Sequence, residues 1–162
     1  MTAKDVIKHT IDMCHQVLTT YIGDLSDADL MLRSVPEANH TAWQLGHLAA
    51  SEHQMMTGPG YKMPDLPAGF AEAYTPETSK SDDPAKFHKK DEYLALLEEQ
   101  RAATLATLDG LPEADLDKPA PEPMQSYVAT IGGIFNLIGM HDLMHAGQFV
   151  PVRRKLGKPV LI

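Results

Sequence analysis

Two histidines, His141 and His145, lie four residues apart in a segment, 131–157, whose apolar residues recur with helical spacing. At about 100° per residue, one stripe of this helix carries Ile134, Ile138, His141, His145, Gln148 and Val152. A buried imidazole needs partners for its donor and its acceptor, because burying an unpaired polar group is costly. Imidazoles at i and i+4 can bind one divalent cation, so the pair predicts a metal site. The alternative is two core histidines bonded to carboxylates or water.

A third ligand is expected upstream, since no His, Asp or Glu follows His145. His47 lies inside a predicted helix and shares a face with Trp43 and Ala50, which distinguishes it from the other remaining histidines. Three neutral histidines leave at least one position of a divalent cation open, which is typical of catalytic sites. Such an ion activates water, or lowers the pKa of a bound thiol from about 8.5 into the neutral range.

Several other kinds of chemistry are not indicated. The segment from His141 to His145 differs from the His-Glu-x-x-His motif of zinc peptidases, because Asp142 is one methylene shorter than the glutamate base and a downstream ligand is missing. We assign Asp142 no role, since it lies about 100° from the ligand face. No Gly-x-Ser-x-Gly motif, phosphate-binding glycine loop or Cys-x-x-Cys motif occurs, so serine hydrolases, nucleotide-binding and thioredoxin-like proteins lack support.

Composition favours one soluble globular domain that covers residues 1–162. The apolar fraction is 43%, and the formal net charge of −8 argues against a nucleic-acid partner, which requires a basic surface. The single cysteine, Cys14, excludes an internal disulfide and a cysteine-based zinc site. No apolar run approaches the roughly 18 residues needed to span a membrane, and residues 1–5 lack signal-peptide features, so we expect a cytoplasmic protein without membrane contact.

Four amphipathic segments predict an all-α fold, a four-helix bundle. The predicted helices are 3–23, 41–57, 84–109 and 131–157. The third is predicted to begin at Asp83-Pro84, because aspartate favours the cap and proline the first helical position. Residues 58–85 contain five of the twelve prolines and predict a long crossover loop between the second and third helices.

The second predicted helix is apolar on two sides, with His47 and Ala50 on one and Leu45 and Ala49 roughly opposite. A helix of this kind is usually covered on both sides. One side can face the bundle core and the other a second subunit, so we expect a homodimer. Gly46 costs the helix about 1 kcal/mol relative to alanine, which suggests the close approach of a neighbouring helix.

Three further residues are candidates for a substrate pocket: Trp43, Arg101 and Gln148. Gln148 could hydrogen-bond a metal-bound water and Trp43 could form a pocket wall, with packing roles as the alternatives. Arg101 interrupts the apolar stripe of the third helix. It is expected either to bind an anionic group of the substrate or, as the favoured interpretation, to form an ion pair or extend to solvent.

Two segments together resemble the signature of the DinB/YfiT-like metalloenzymes. They are Trp43-Gln-Leu-Gly-His47-Leu-Ala-Ala-Ser-Glu52 and His141-x-x-x-His145-Ala-Gly-Gln148, with Arg153 shortly after. The resemblance implies a four-helix bundle, often dimeric. It also implies a nickel, zinc, iron or manganese ion bound by one histidine of the second helix and two of the fourth, here His47, His141 and His145.

The resemblance also suggests an activity. Characterised relatives include metal-dependent transferases and isomerases that use low-molecular-weight thiols such as mycothiol or bacillithiol. We therefore hypothesise a divalent-metal-dependent enzyme that transfers a small thiol to an electrophilic small-molecule substrate. A non-enzymatic dimeric bundle with a structural metal and a metal-dependent hydrolase remain as alternatives. The family is not established as DNA-binding, which agrees with the net charge of −8.

Overall fold

The computed structural model describes residues 1–161, which form six α-helices and several short 3-10 turns. The helices are α1 (Ala3–Ile22), α2 (Asp27–Leu30), α3 (Thr41–Thr57), α4 (Phe70–Ala73), α5 (Lys90–Gly110) and α6 (Ile131–Lys155). Four of them are long, and no strand occurs in the described part of the chain, so the prediction of an all-α four-helix bundle is confirmed. None of these helices has the length and apolar character required to cross a membrane.

Side-chain caps define where three of the long helices begin. The Thr2 hydroxyl caps α1, and the Thr130 hydroxyl accepts a hydrogen bond from the Gly133 N–H at the start of α6. At the start of α3, His40 Nδ1 accepts from the Trp43 N–H at 3.0 Å, which satisfies one of the free donors of the first turn. The predicted bounds of α3, 41–57, agree with those observed.

The predicted start of the third long helix is wrong. Asp83 does cap a turn, but Pro84–Lys86 forms only a 3-10 turn, and the long helix begins at Lys90. Phe87 is extended, with φ −123° and ψ 152°, and its ring packs edge-on against His40 at 4.5 Å. Because this contact with the start of α3 holds Phe87 extended, no long helix follows Asp83-Pro84, although both residues favour the start of one.

The contacts between helices establish an up-down-down-up arrangement. Helices α1 and α6 run parallel to each other, α3 and α5 form a second parallel pair, and α3 is antiparallel to α6. The contacts that show this are Ile7–Gly132 and Ile11–Gly139, then His40–Phe87 and Glu52–Arg101, and finally Gln44–His145 and Tyr61–Phe135. Because α3 and α5 point the same way, the chain between them must return along the bundle, which explains the long crossover at 58–89.

Two apolar clusters fill the bundle, and a polar layer separates them. The first surrounds Leu18, Leu45 and Phe149, and the second surrounds Ile11 and Phe135. Between them lie four buried polar side chains contributed by α3, α5 and α6, namely Glu52, Arg101, Thr104 and Asp142. The apolar core of the bundle is therefore interrupted by one layer of buried polar side chains.

The crossover covers the second apolar face of α3. The Tyr74 ring lies against Gly46, where a β-carbon would overlap it, so an aromatic ring and not a neighbouring helix explains this glycine. The indole Nε1 of Trp43 donates to the Thr75 carbonyl at 3.1 Å. Both sides of α3 are thus covered within one chain, and the homodimer, which rested on that second face, stays a prediction.

Candidate metal centre

Three imidazoles converge where α3 faces α6. One ring nitrogen each of His47, His141 and His145 lies within 4.8 Å of the other two. The Nε2 atoms of His141 and His145 are 3.1 Å apart. Two nitrogen ligands bound tetrahedrally at their usual length of about 2.0–2.1 Å would be about 3.4 Å apart. The pair on α6 therefore fits a shared cation with little movement, and imidazole donors suit zinc, nickel and iron.

Gln44 fixes the orientation of His145. Its amide nitrogen donates to the Asn39 carbonyl at 2.7 Å, which leaves its Oε1 directed at His145 Nδ1, also at 2.7 Å. Nδ1 must then carry the hydrogen, so Nε2 presents its lone pair to the site. Gln44 is not among the site residues predicted from the sequence. The available signal was a polar side chain among core positions, three residues before His47.

The indole ring of Trp43 packs against the imidazole of His47. The two rings stack with centroids 4.8 Å apart and an angle of 8° between their planes. Trp43 is buried, and its Nε1 also donates to the Thr78 hydroxyl at 3.1 Å. The stack restricts the rotation of His47 about its side-chain bonds. The predicted role of Trp43 as a pocket wall stays a prediction.

Burial keeps all three histidines uncharged. It lowers the pKa of His47 to about 4 and that of His145 to about 3. In both cases repulsion from the protonated form of His141 lowers the pKa further. For His141 burial again lowers the pKa, against the charge of Asp142. Neutral imidazole is the form that binds metal, so at neutral pH no proton has to leave before an ion binds.

Of the three histidines, His47 also lines a cleft of about 480 Å³ between α3 and the crossover. His47, Ser51 and His53 line it from the helix, and Tyr74 lines it from the crossover. Ligand pockets commonly enclose about 300–1,000 Å³, so the cleft can hold a small molecule beside His47.

Comparison with known proteins identifies the family. The sequence pattern of the DinB superfamily matches residues 10–149, a span that contains all three histidines. The chain belongs to the DinB superfamily. No protein with a curated description matches it.

Two solved structures share the fold of this DinB-superfamily chain. A conserved protein from Enterococcus faecalis is 19% identical, with a TM-score of 0.72, and the similarity covers 98% of this chain and 99% of that one. YfiT from Bacillus subtilis is 18% identical, with a TM-score of 0.67, over 96% of this chain and 89% of that one. YfiT is described as "a probable metal-dependent hydrolase with an unusual four-helix bundle topology".

Arg101 and Gln148, the other two pocket candidates, lie away from the cleft of this DinB-superfamily protein. Gln148 is exposed, and Gln44 is the glutamine that contacts a candidate ligand. Arg101 is 3% exposed, and its Nη2 donates to Glu52 at 3.0 Å and to Asp142 at 2.8 Å. Its side chain thus forms the favoured ion pair, and its role in binding a substrate stays a prediction.

Asp142 is the residue of this segment whose position the sequence analysis did not foresee. It is 2% exposed, and besides Arg101 it approaches His15 Nδ1 at 3.5 Å. The His15 side chain, contributed by α1, is only 15% exposed. The polar layer therefore begins directly beside His141, and its ion pairs help hold α6 against α5.

Proposed function

We propose that this protein is a divalent-metal-dependent enzyme whose ion is bound by His47, His141 and His145. The observation that carries the proposal is the convergence of three uncharged imidazoles from two helices, one of which, His47, also lines a cleft. Three protein ligands leave a coordination position open, which is the arrangement of catalytic sites, whereas structural sites are closed by four. A bound ion would supply Lewis acidity that favours an ionised water or thiol at neutral pH.

The residues of this chain prepare the site before any ion binds. Gln44 holds His145 in the tautomer that exposes Nε2, and Trp43 holds the ring of His47. Helix α6 sets the distance between His141 and His145. Binding therefore requires little reorganisation, and the crossover shields one side of the cleft from bulk water.

The reaction that we propose is the addition of a small thiol to an electrophilic small molecule. The resemblance to thiol-dependent relatives supports the thiol, and the cleft volume can accommodate a small molecule next to His47. Hydrolysis, with water as the nucleophile, is a second candidate, and the description of YfiT favours it. A panel of esters, amides and alkylating electrophiles, tested with and without thiol, distinguishes the two reactions.

Metal content per chain tests the site itself. Protein purified without a metal-affinity tag should contain about one equivalent of a divalent metal by elemental mass spectrometry. His47→Ala, His141→Ala and His145→Ala should each lose it, whereas His9→Ala, which changes an exposed histidine of α1, should retain it. If the parent stays empty after incubation with nickel, zinc, iron and manganese, the three histidines form a hydrogen-bonded core cluster and the proposal fails.

A further inference from the structure

We propose that His53 is a substrate-binding residue of this cleft, whose Nε2 accepts a hydrogen bond from an uncharged donor group, an amide N–H or a hydroxyl, of the substrate. The inference deepens the proposed function of the same cleft and rests on it. His53 lines the cleft together with His47, although it belongs to neither histidine segment of the metal site.

A fixed amide sets the tautomer of His53. Gln100 Nε2 donates to the Pro64 carbonyl at 3.0 Å, so its Oε1 is the end that faces His53 Nδ1, at 3.2 Å. An amide oxygen can only accept, so in the uncharged imidazole Nδ1 carries the hydrogen. Gln100 is 0% exposed, which means that water does not compete for either end of its amide.

The other ring nitrogen of His53 is free to bind a ligand. Within the described residues Nε2 has no hydrogen-bond partner, and it is not among their buried unpaired atoms, so solvent reaches it. With the hydrogen held on Nδ1, Nε2 is an acceptor. Because His53 lines the cleft and its Nδ1 is turned to Gln100, Nε2 is the acceptor that this ring can offer to a ligand there.

The charge of the cleft selects the class of substrate. Among the described residues that line it there is no Lys, Arg, Asp or Glu. Asp65 and Glu72, next in sequence to two lining residues of the crossover, are exposed and acidic, and Arg101 is paired inside the bundle. A carboxylate or phosphate on the substrate would find no cation beyond the metal. An uncharged donor, in contrast, finds Nε2 of His53.

The position of His53 separates binding from chemistry. It lies six residues after His47 on α3, which is about 9 Å along the helix axis. A group bound there is remote from the atom that would react at the metal. A change at His53 should therefore alter affinity, and KM more than kcat if the reacting group keeps its place.

The first experiment measures the tautomer by the ¹⁵N shifts of the imidazole nitrogens at pH 8, in metal-free protein. We expect His53 to carry its hydrogen on Nδ1, and we expect Gln100→Leu to reduce that preference. A hydrogen on Nε2 in the parent would overturn the inference, because that atom would then donate.

The second experiment uses hydroxamic acids, which bind metal, on zinc-loaded protein. Three probes share one chain length and end in a primary amide, a carboxylate or a methyl group. By calorimetry we expect the amide probe to bind about 5–10-fold more tightly than the methyl probe, the size of one hydrogen bond. His53→Phe should abolish that preference, and His53→Gln, which keeps an acceptor, should restore part of it.

Zinc content and affinity for acetohydroxamate should stay unchanged in both variants, and His9→Phe is the control for a histidine outside the cleft. Two results overturn only the role of His53 and leave the proposed function standing. In both, zinc binds, and either the amide and methyl probes bind equally or the carboxylate probe binds most tightly. If no zinc binds, the proposed function fails, and the assignment of a substrate to the cleft fails with it.

Discussion

Two glutamines in this protein set the tautomers of two histidines in the same way. Gln44 and Gln100 each donate their amide N–H to a backbone carbonyl and offer the oxygen to a histidine, His145 in one case and His53 in the other. Once the donor end of an amide is fixed, the opposite end can only accept, so the histidine must place its hydrogen there. Both glutamines are almost fully buried, and each determines which nitrogen of its histidine is available.

Replacing Gln44 should weaken metal binding. In Gln44→Leu, Nδ1 of His145 has no acceptor, the other tautomer becomes accessible, and the ring is less restricted. Loss of such a supporting hydrogen bond typically reduces metal affinity 10–100-fold. Competition with a chelating dye measures the zinc Kd, and Gln16→Leu, at an exposed position of α1, is the control. An unchanged Kd in folded Gln44→Leu would contradict this account of the site.

His40 should make the stability of the metal-free protein depend on pH. It is fully buried, with Nδ1 accepting from the Trp43 N–H and Nε2 donating to the Ser81 carbonyl, and burial lowers its pKa from the ordinary value of 6.5. A group with a lowered folded-state pKa contributes stability that is fully present above its unfolded pKa. That stability is lost as the pH falls from about 6.5 through the folded value.

His40→Asn keeps a capping side chain but cannot titrate in this range. Its free energy of unfolding should therefore vary less between pH 7 and pH 5 than that of the parent, as measured by urea denaturation after chelation. The metal-site histidines contribute the same background to both proteins. Equal pH dependence would show that His40 does not resist protonation in the folded state.

A site residue can be predicted from the sequence when the pattern that marks it lies within one helix. The i, i+4 pair and the polar interruption of an apolar stripe are visible within one helix, so His141 and His145 can be singled out from periodicity. The partner of His145 cannot, because Gln44 is 101 residues away and the two meet only after α3 packs on α6. The burial of Asp142 likewise depends on Arg101 of another helix.

At the scale of elements, α3 is the helix on which the site depends. It supplies His47 and His53 and lies between the core and the crossover. Signals in the sequence mark both of its ends: the turn-favouring residues Pro36 and Asn39 before it and Gly58 after it. Its bounds could therefore be predicted. The start of α5 could not, because Phe87 and Lys89 are extended, Phe87 contacts His40 at the start of α3, and His88 is bonded to Tyr74 of the crossover.

We expect that Gly46 of α3 cannot be replaced without a loss of stability. Alanine is favoured over glycine in a helix by about 1 kcal/mol, but at position 46 a methyl group would overlap the Tyr74 ring. Gly46→Ala should lower the free energy of unfolding despite its better helix propensity. Gly147→Ala is the matched control in α6, where the methyl group meets open space and should stabilise by up to about 1 kcal/mol. If both variants were stabilised, Tyr74 would not be packed on α3.

At the scale of the whole molecule, we expect the bundle to fold without a metal. Two apolar clusters, on either side of the layer that contains Glu52 and Arg101, are built without any of the three candidate ligands. Each ligand ring is already held: His145 by Gln44, His47 by Trp43, and His141 by its position on α6. The up-down-down-up arrangement that places the cleft beside them follows from the packing of helices and the length of the crossover.

Removing the metal should therefore destabilise the protein only through the loss of binding. An ion present at 100 times its Kd stabilises the folded state by about 2.7 kcal/mol, which for a chain of this size corresponds to a fall in Tm of roughly 5–10 °C after chelation. The helical circular dichroism signal at 20 °C should stay unchanged, and His141→Ala should melt at the same temperature with and without chelator. Zinc-dependent folds behave differently, because their metal-binding energy is their folding energy. Loss of helical signal at 20 °C on chelation would mean that the three histidines form a structural site, and the enzyme proposal would give way to that of a metal-stabilised bundle.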